Sequence, residues 1–364
     1  MDYRMKEALL QRNQRIIQAV KAKANMVCPG AVDLIAVVGS FVSGEYHEKS
    51  DLDLLIVINQ ESGWKLSKTF ILEDVGHDIY CQTWEELEHT AEYPHPHVAK
   101  LLEAAIVYTA NQAAKDRYFL LQNKLKEVLA RPLCVEDIEK AEGFYHSALE
   151  VLGKLFLADA DGECAYLSAI LLYYIEYAAY LVNKSYVHRG IQGIPAEIEA
   201  FDCLPDGFVD AYQRLILAEG AADIRQAAKF LVRLTGDFLA VLRDRLCPKP
   251  EISPEALEGT YEEAFSNWRW KMHRAAQLGS PYLSLMTAAS CQNYYDEFEA
   301  RFHIPHFDLF SGFSAKDLSA SAEMFDRVLE EFGHLYEKGG LKICRYPTLE
   351  EFEQDYLGAP LETS

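Results

Sequence analysis

The sequence predicts an α+β protein: a small mixed β-sheet, then an α-helical bundle, then a further, mostly helical C-terminal region. Three observations predict it. Short apolar runs rich in β-branched residues, at 34–38 and 53–58, fall within the first 115 residues. From 116 to 246 the apolar residues recur at helical spacing in long segments divided by Pro- and Gly-containing breaks. Pro248-Lys249-Pro250 then punctuates the chain before a stretch rich in aromatics, including Trp268, Trp270, Tyr282, Tyr294 and Tyr295. The expected domains are therefore 1–115, 116–247 and 251–364.

The elements follow in order. Residues 3–24 place Leu9, Ile16, Ile17 and Val20 on one helical side, and Pro29-Gly30 ends that helix. Strands are expected at 34–38 and 53–58. Residues 68–72 and 78–83 are expected to pair as a hairpin across 73–77, which contains Gly76. Trp84-Glu85-Glu86-Leu87-Glu88 opens a helix. Further helices are expected at 116–130, 135–158, 163–182, 194–201, 206–218 and 222–246, separated by Pro132, 159–162, 190–195 and Pro205-Asp206-Gly207. Long helices on short loops give an antiparallel bundle.

Composition narrows the function classes. A chain of 364 residues with 50% hydrophobic residues has ample core for two or three domains. The net charge of −21 argues against tight nucleic-acid binding, which draws on Lys and Arg, and favours a neutral or cationic small substrate. The eight cysteines are scattered singly with no Cys-x-x-Cys, so neither a zinc site nor a thiol-redox motif is indicated, and reduced buried thiols are expected. The N-terminus lacks a signal peptide's apolar core. The apolar stretch 165–182 carries Glu176 and reads as a bundle helix, not a membrane span. The expected location is cytoplasmic, with no membrane partner.

The chemistry concentrates at Val37-Val38-Gly39-Ser40, ten intervening residues, then Asp51-Leu52-Asp53 running into Leu54-Leu55-Ile56-Val57. Alternate residues of a strand share a face, so Asp51 and Asp53 project together about 7 Å apart. Two such carboxylates repel unless a cation lies between them, and Mg²⁺ favours a couple of carboxylates plus phosphate oxygens. Asp78 opens the expected strand 78–83 and is the candidate third acid, with Glu73 and Asp74 as rivals before the strand. Gly39 permits a tight turn and close backbone approach to a phosphate, and Ser40 offers a hydroxyl and an N–H.

This pattern resembles the nucleotidyltransferases of the DNA polymerase β superfamily, in which a Gly-Ser turn precedes Asp-x-Asp/Glu between hydrophobic residues. The resemblance implies that Asp51, Asp53 and Asp78 hold Mg²⁺ and that Gly39 and Ser40 cradle the phosphates of ATP or another nucleoside triphosphate. It departs from much of the superfamily at Ser43, where an Arg is frequent. Farther on, Leu149-Glu150-Val151-Leu152-Gly153-Lys154-Leu155 is similar to a helical segment of the kanamycin (aminoglycoside) nucleotidyltransferases, and that likeness extends colinearly over about residues 1–245. It implies Glu150 as the general base and Lys154 as a phosphate contact. The two are i and i+4 on one helical face, and Glu142 and Glu139 are alternative bases. His146 reads as a bystander. His95-Pro96-His97 reads as a loop, and Pro305 spoils the spacing of His303 and His306. Lys184–Arg189 reads as a helix C-terminus, and Trp268, Trp270 and Met272 as core.

The implied function is metal-dependent transfer of a nucleoside monophosphate, AMP from ATP, to a hydroxyl of a small acceptor such as a cationic aminoglycoside, releasing pyrophosphate. A homodimer is implied by the resemblance alone. Two alternatives remain open: a protein adenylyltransferase of the toxin–antitoxin kind, and a nucleotide-binding sensor or scaffold without turnover.

Overall fold

The computed structural model describes residues 3–358. The chain divides into two compact units, Met1–Cys247 and Pro248–Ser364. The first begins with α1 (Tyr3–Val27), β1 (Val32–Val38), the single turn α2 (Ser40–Ser43) and β2 (Asp53–Ile58). A 3-10 segment, Glu61–Leu66, leads to β3 (Lys68–Leu72), β4 (Val75–Ile79) and β5 (Cys81–Thr83). Then come α3 (Trp84–Thr90), α4 (Val98–Leu102) and β6 (Ala105–Thr109).

The main sheet has the order β5-β2-β1-β6. β1 pairs antiparallel with both β2 and β6, and β2 pairs parallel with β5, so the sheet is mixed as expected. The run Leu54-Leu55-Ile56-Val57-Ile58 is apolar at every position because both faces are covered. Leu55 and Val57 face α3, α4 and the helices that follow. Leu54, Ile56 and Ile58 face Val20 and Ala24 of α1.

Two local features differ from the sequence expectation. The hairpin turn is only Glu73-Asp74, both with positive φ (52° and 58°), the geometry of a type I′ turn. β4 therefore pairs with β3 in a separate two-stranded ribbon. The chain breaks at Tyr80, and β5 crosses into the main sheet instead of continuing one strand over 78–83. Glu73 and Asp74 are thus exposed turn residues. β6 was not anticipated, although Ala-Ile-Val-Tyr-Thr has strand composition.

The remaining helices of this unit are α5 (Gln112–Ala130), α6 (Val135–Leu157), α7 (Asp161–Val182), α8 (Ile194–Glu199), α9 (Phe208–Ile216) and α10 (Gly220–Leu246). All six lie close to the expected spans. One core joins the sheet to the near ends of the bundle, with Leu34, Leu55 and Val57 meeting Ile138, Leu181 and Leu239. A second core fills the far part of the bundle around Leu171, Ile175 and Leu231. α7 is long and apolar enough to cross a membrane by length and composition. Here it buries Leu171, Ile175, Ala178 and Leu181 in the bundle, and its Glu176 accepts a hydrogen bond from Tyr212 (2.7 Å).

The second unit contains α11 (Pro254–Leu257), α12 (Thr260–Ala264), α13 (Trp270–Leu278), α14 (Pro281–Arg301), α15 (Leu318–Lys338) and α16 (Leu349–Leu357). Tyr295, Phe325 and Phe332 centre its core. A π-helical turn, Phe265–Arg269, joins α12 to α13, and its Arg269 pairs with Asp326 (2.9 Å). Met272 is core as expected, but Trp270 is 60% exposed, with Arg269 over its ring. The cysteines are all free thiols; Cys28, Cys81, Cys164 and Cys291 are buried, whereas Cys247 and Cys344 are exposed.

Candidate active site

β1 ends at Val38, which pairs directly with Asp53 at the start of β2. The chain must turn out of the sheet at residue 39 without covering that carboxylate. Gly39 does this with φ +71°, and a Cβ there would sit 2.4 Å from Asp53 Oδ2. Ser40 follows as the first residue of α2. Gly39, Ser40, Asp51 and Asp53 line one cleft of about 300 Å³.

Asp51 and Asp53 are held from both sides. Arg12 of α1 donates to the Ser50 carbonyl (2.8 Å), and the Ser50 hydroxyl accepts the His47 N–H (2.9 Å). On the other side the Leu52 N–H donates to His77 Nδ1 (3.4 Å), and the Phe70 ring stacks on His77. Burial lowers the pKa of His77, with Arg12 adding to the effect, so the ring is neutral with its proton on Nε2. Asp53 has its pKa raised above the ordinary carboxylate value, first by burial and then by the charge of Asp51. Lys100 on α4 opposes that shift and Asp78 adds to it. This electrostatic state calls for a cation.

Asp78 is exposed on β4, where it accepts a hydrogen bond from Thr69 (3.0 Å). It stands outside the residues that line the cleft but near enough to act on Asp53. Glu150 and Lys154 lie on exposed positions of α6, away from the cleft lining, and among the described residues neither is in an ion pair. The alternative base Glu142 is gripped by Arg243 (Nε–Oε1 2.6 Å), which also approaches Glu139 (4.0 Å).

The far wall of the cleft comes from His188, Arg189, Gly190 and Gln192, between α7 and α8, where the sequence reads as a helix end up to Arg189 and a break from Gly190. No local motif assigns these residues to the cleft. Their role depends on the fold bringing residues about 140 positions apart together. The signal available was a basic cluster in a strongly acidic chain.

Residues 14–141 match the family model described as nucleotidyltransferase domain. This part of the chain is similar to nucleotidyltransferase domains. The match spans both acidic positions on and before β2, the Gly39-Ser40 turn and the ribbon bearing Asp78. Among solved structures, the chain is similar to a nucleotidyltransferase-like protein from Exiguobacterium sibiricum. That likeness has 12% identity and a TM-score of 0.35, covering 80% of this chain and 92% of the other. No curated protein sequence matches the chain.

The geometry of the nucleotidyltransferase domain makes Gly39 a sharp test. Gly39→Ala places a methyl group against the Asp53 carboxylate and strains a positive φ. It is expected to lower nucleotidyl transfer by about 10²-fold, the scale of an ångström's displacement of a reacting group. The fold should survive, because Gly39 is exposed and outside both cores. Circular dichroism beside a turnover assay separates the two effects.

Proposed function

We propose that the nucleotidyltransferase domain moves a nucleoside monophosphate, AMP from ATP, onto a hydroxyl of a small cationic acceptor such as an aminoglycoside. The observation that carries this is the shared cleft of Asp51, Asp53 and the Gly39-Ser40 turn, with Asp53 packed against Gly39. Hard carboxylate oxygens, one of them held above its usual pKa by burial and a like charge, fit a hard divalent cation such as Mg²⁺. Asp51 and Asp53 would hold it, with Asp78 at the edge. Such an ion, when bound, neutralises phosphate charge and makes the acceptor hydroxyl more acidic. Ser40 donates to a phosphate oxygen across the turn. The net charge of −21 draws in a polycationic acceptor.

The test is pyrophosphate release from each nucleoside triphosphate with Mg²⁺ against aminoglycosides and other polyhydroxylated amines. Release with one acceptor, lost in Asp51→Asn, supports the proposal. Label transferred to a protein side chain instead would move the acceptor class to proteins. Nucleotide binding without release against any acceptor would leave only a sensor or scaffold.

We assign Glu150 and Lys154 to this reaction through a second copy of the chain, since neither lines the cleft of its own chain. A homodimer with shared sites gives a definite expectation. Asp53→Asn and Glu150→Gln proteins, each inactive alone, should recover about a quarter of wild-type activity when co-refolded. Half of a random mixture is heterodimer, and each heterodimer carries one intact site. No recovery on mixing would remove Glu150 from the site.

A further inference from the structure

We propose that Arg189 is the guanidinium that binds the nucleotide's terminal phosphates, released from Glu45 when the triphosphate arrives. This rests on the nucleotidyl-transfer reading of the cleft. Position 43, three residues after Ser40, is a serine, so the turn side of the cleft offers the exposed Lys49, a point charge, and no guanidinium. Arg189 lines the opposite wall.

The segment that presents Arg189 is built, not loose. The Glu197 carboxylate accepts the backbone N–H of Arg189 (2.9 Å) and of His188 (3.2 Å), and it also accepts the Tyr180 hydroxyl (2.6 Å). Glu103 holds the His188 ring (2.7 Å) and the Tyr186 hydroxyl (2.9 Å). A Cβ at residue 193 would lie 2.3 Å from Arg189 Cβ, so only glycine at that position leaves room for the arginine. Two glutamates and a glycine thus fix the segment that carries the exposed Arg189 side chain.

The guanidinium itself is lightly held. Its ion-pair partner among the described residues is Glu45, at 3.2 Å (Nε–Oε1), on the loop between α2 and β2. Both side chains are more than a third exposed (57% and 39%), and such pairs contribute about 0–1 kcal/mol. A phosphate offers the same guanidinium two acceptor oxygens and more charge. The exchange also frees Glu45 from the cleft wall. A triphosphate entering a cleft that already holds Asp51 and Asp53 needs fixed cations beyond any bound metal; Lys49 and Arg189 both line the cleft, and Arg189 is the one with a two-donor guanidinium on a hydrogen-bonded backbone.

Calorimetric binding of nucleotide to the full chain tests this, with Ca²⁺ in place of Mg²⁺ so that turnover does not intervene. ATP and AMP are compared on wild type, Arg189→Gln, Arg189→Lys and Glu45→Gln. The expected result is a loss of about 10- to 100-fold in ATP affinity for Arg189→Gln, the worth of a charge-assisted hydrogen-bonded pair, with AMP affinity unchanged. Arg189→Lys should fall between, and Glu45→Gln should bind ATP at least as tightly as wild type. Equal ATP affinity in Arg189→Gln and wild type overturns the role of Arg189 while leaving the cleft's function intact. Equal losses for ATP and AMP overturn it too, since they would mark a general structural effect. Wild type failing to bind ATP at all, with no change in Asp51→Asn, would instead overturn the nucleotidyl-transfer reading beneath it.

Discussion

Asp53→Asn is expected to abolish the proposed nucleotidyl transfer, by about 10³-fold or more, while making the metal-free protein more stable. The activity loss follows from removing one of the two carboxylates that would hold a divalent cation against the phosphates, where the cation offsets the negative charge that develops. The stability gain follows from the same placement. Burial first, and the charge of Asp51 next, hold the Asp53 carboxyl above its ordinary pKa, with Lys100 only partly compensating. The folded state therefore binds a proton more readily than the unfolded chain, and at neutral pH the ionised Asp53 opposes folding. Asparagine keeps the shape without the charge. A partly solvent-screened repulsion is worth up to about 1 kcal/mol, which shifts Tm by roughly 2–4 °C in a unit of this size.

The pH dependence has a defined sign. As the pH falls through the raised Asp53 value, wild type takes up the proton and recovers what the variant already has, so the two Tm values converge on acidification. Divalent cation should raise Tm of wild type and not of Asp53→Asn. A variant that keeps its turnover would remove the acid pair from the reaction. One that loses activity and also melts lower without metal would show the loss to be structural.

The parts of the site that were legible in the sequence are those set by local periodicity. The alternation at Asp51 and Asp53, and the apolar run after them, are a strand's own pattern, and β2 begins at Asp53 as expected. The six bundle helices were legible because apolar residues recur through whole segments between Pro and Gly breaks. β6 was missed because a five-residue run between helices carries little periodicity. The break at Tyr80 was missed because a two-residue turn at Glu73-Asp74 requires two non-glycine residues at positive φ, which composition does not announce. Glu150 and Lys154 have the right spacing for a shared helical face, but spacing does not say what that face meets, and neither residue lines the cleft. Arg189 and His77 make their contacts with segments distant in sequence, Glu45 and Leu52. Their chemistry is ordinary in sequence, and only the fold makes it specific.

Asp137→Ala is expected to destabilise the Met1–Cys247 unit by about 3 kcal/mol, the cost of leaving the nearly buried Lys184 without its counter-charge. Asp137 is fully buried in the first turn of α6. Lys184 Nζ donates to both of its oxygens at 3.0 Å, Arg131 Nη2 to Oδ1 at 3.0 Å, and the Cys134 N–H caps the helix on Oδ2 (3.2 Å). Lys184 is itself only 11% exposed and lies over the Tyr93 ring. It sits just past the end of α7, at the root of the segment that becomes the cleft wall at His188–Gln192. The knot therefore joins the start of α6 to the chain that carries Arg189.

Burial alone would push the Asp137 carboxyl upward. The hydrogen bonds and charge of Lys184, with the Cys134 N–H, outweigh it and hold the carboxyl below its usual value. A depressed carboxylate stabilises the fold fully above its unfolded pKa, and that stability is lost as pH falls through the folded value. The stability gap between wild type and Asp137→Asn should thus be constant at neutral pH and shrink below about pH 4. Hydrogen exchange gives the local reading. Amides of α6 and of the end of α7 should lose protection in the variant, while those of α14 and α15, in the other unit, should not change. Nucleotide affinity should fall along with that protection, because the wall that presents Arg189 has lost its anchor. Retained protection in α6 with reduced affinity would instead place Asp137 at the nucleotide and not beneath it.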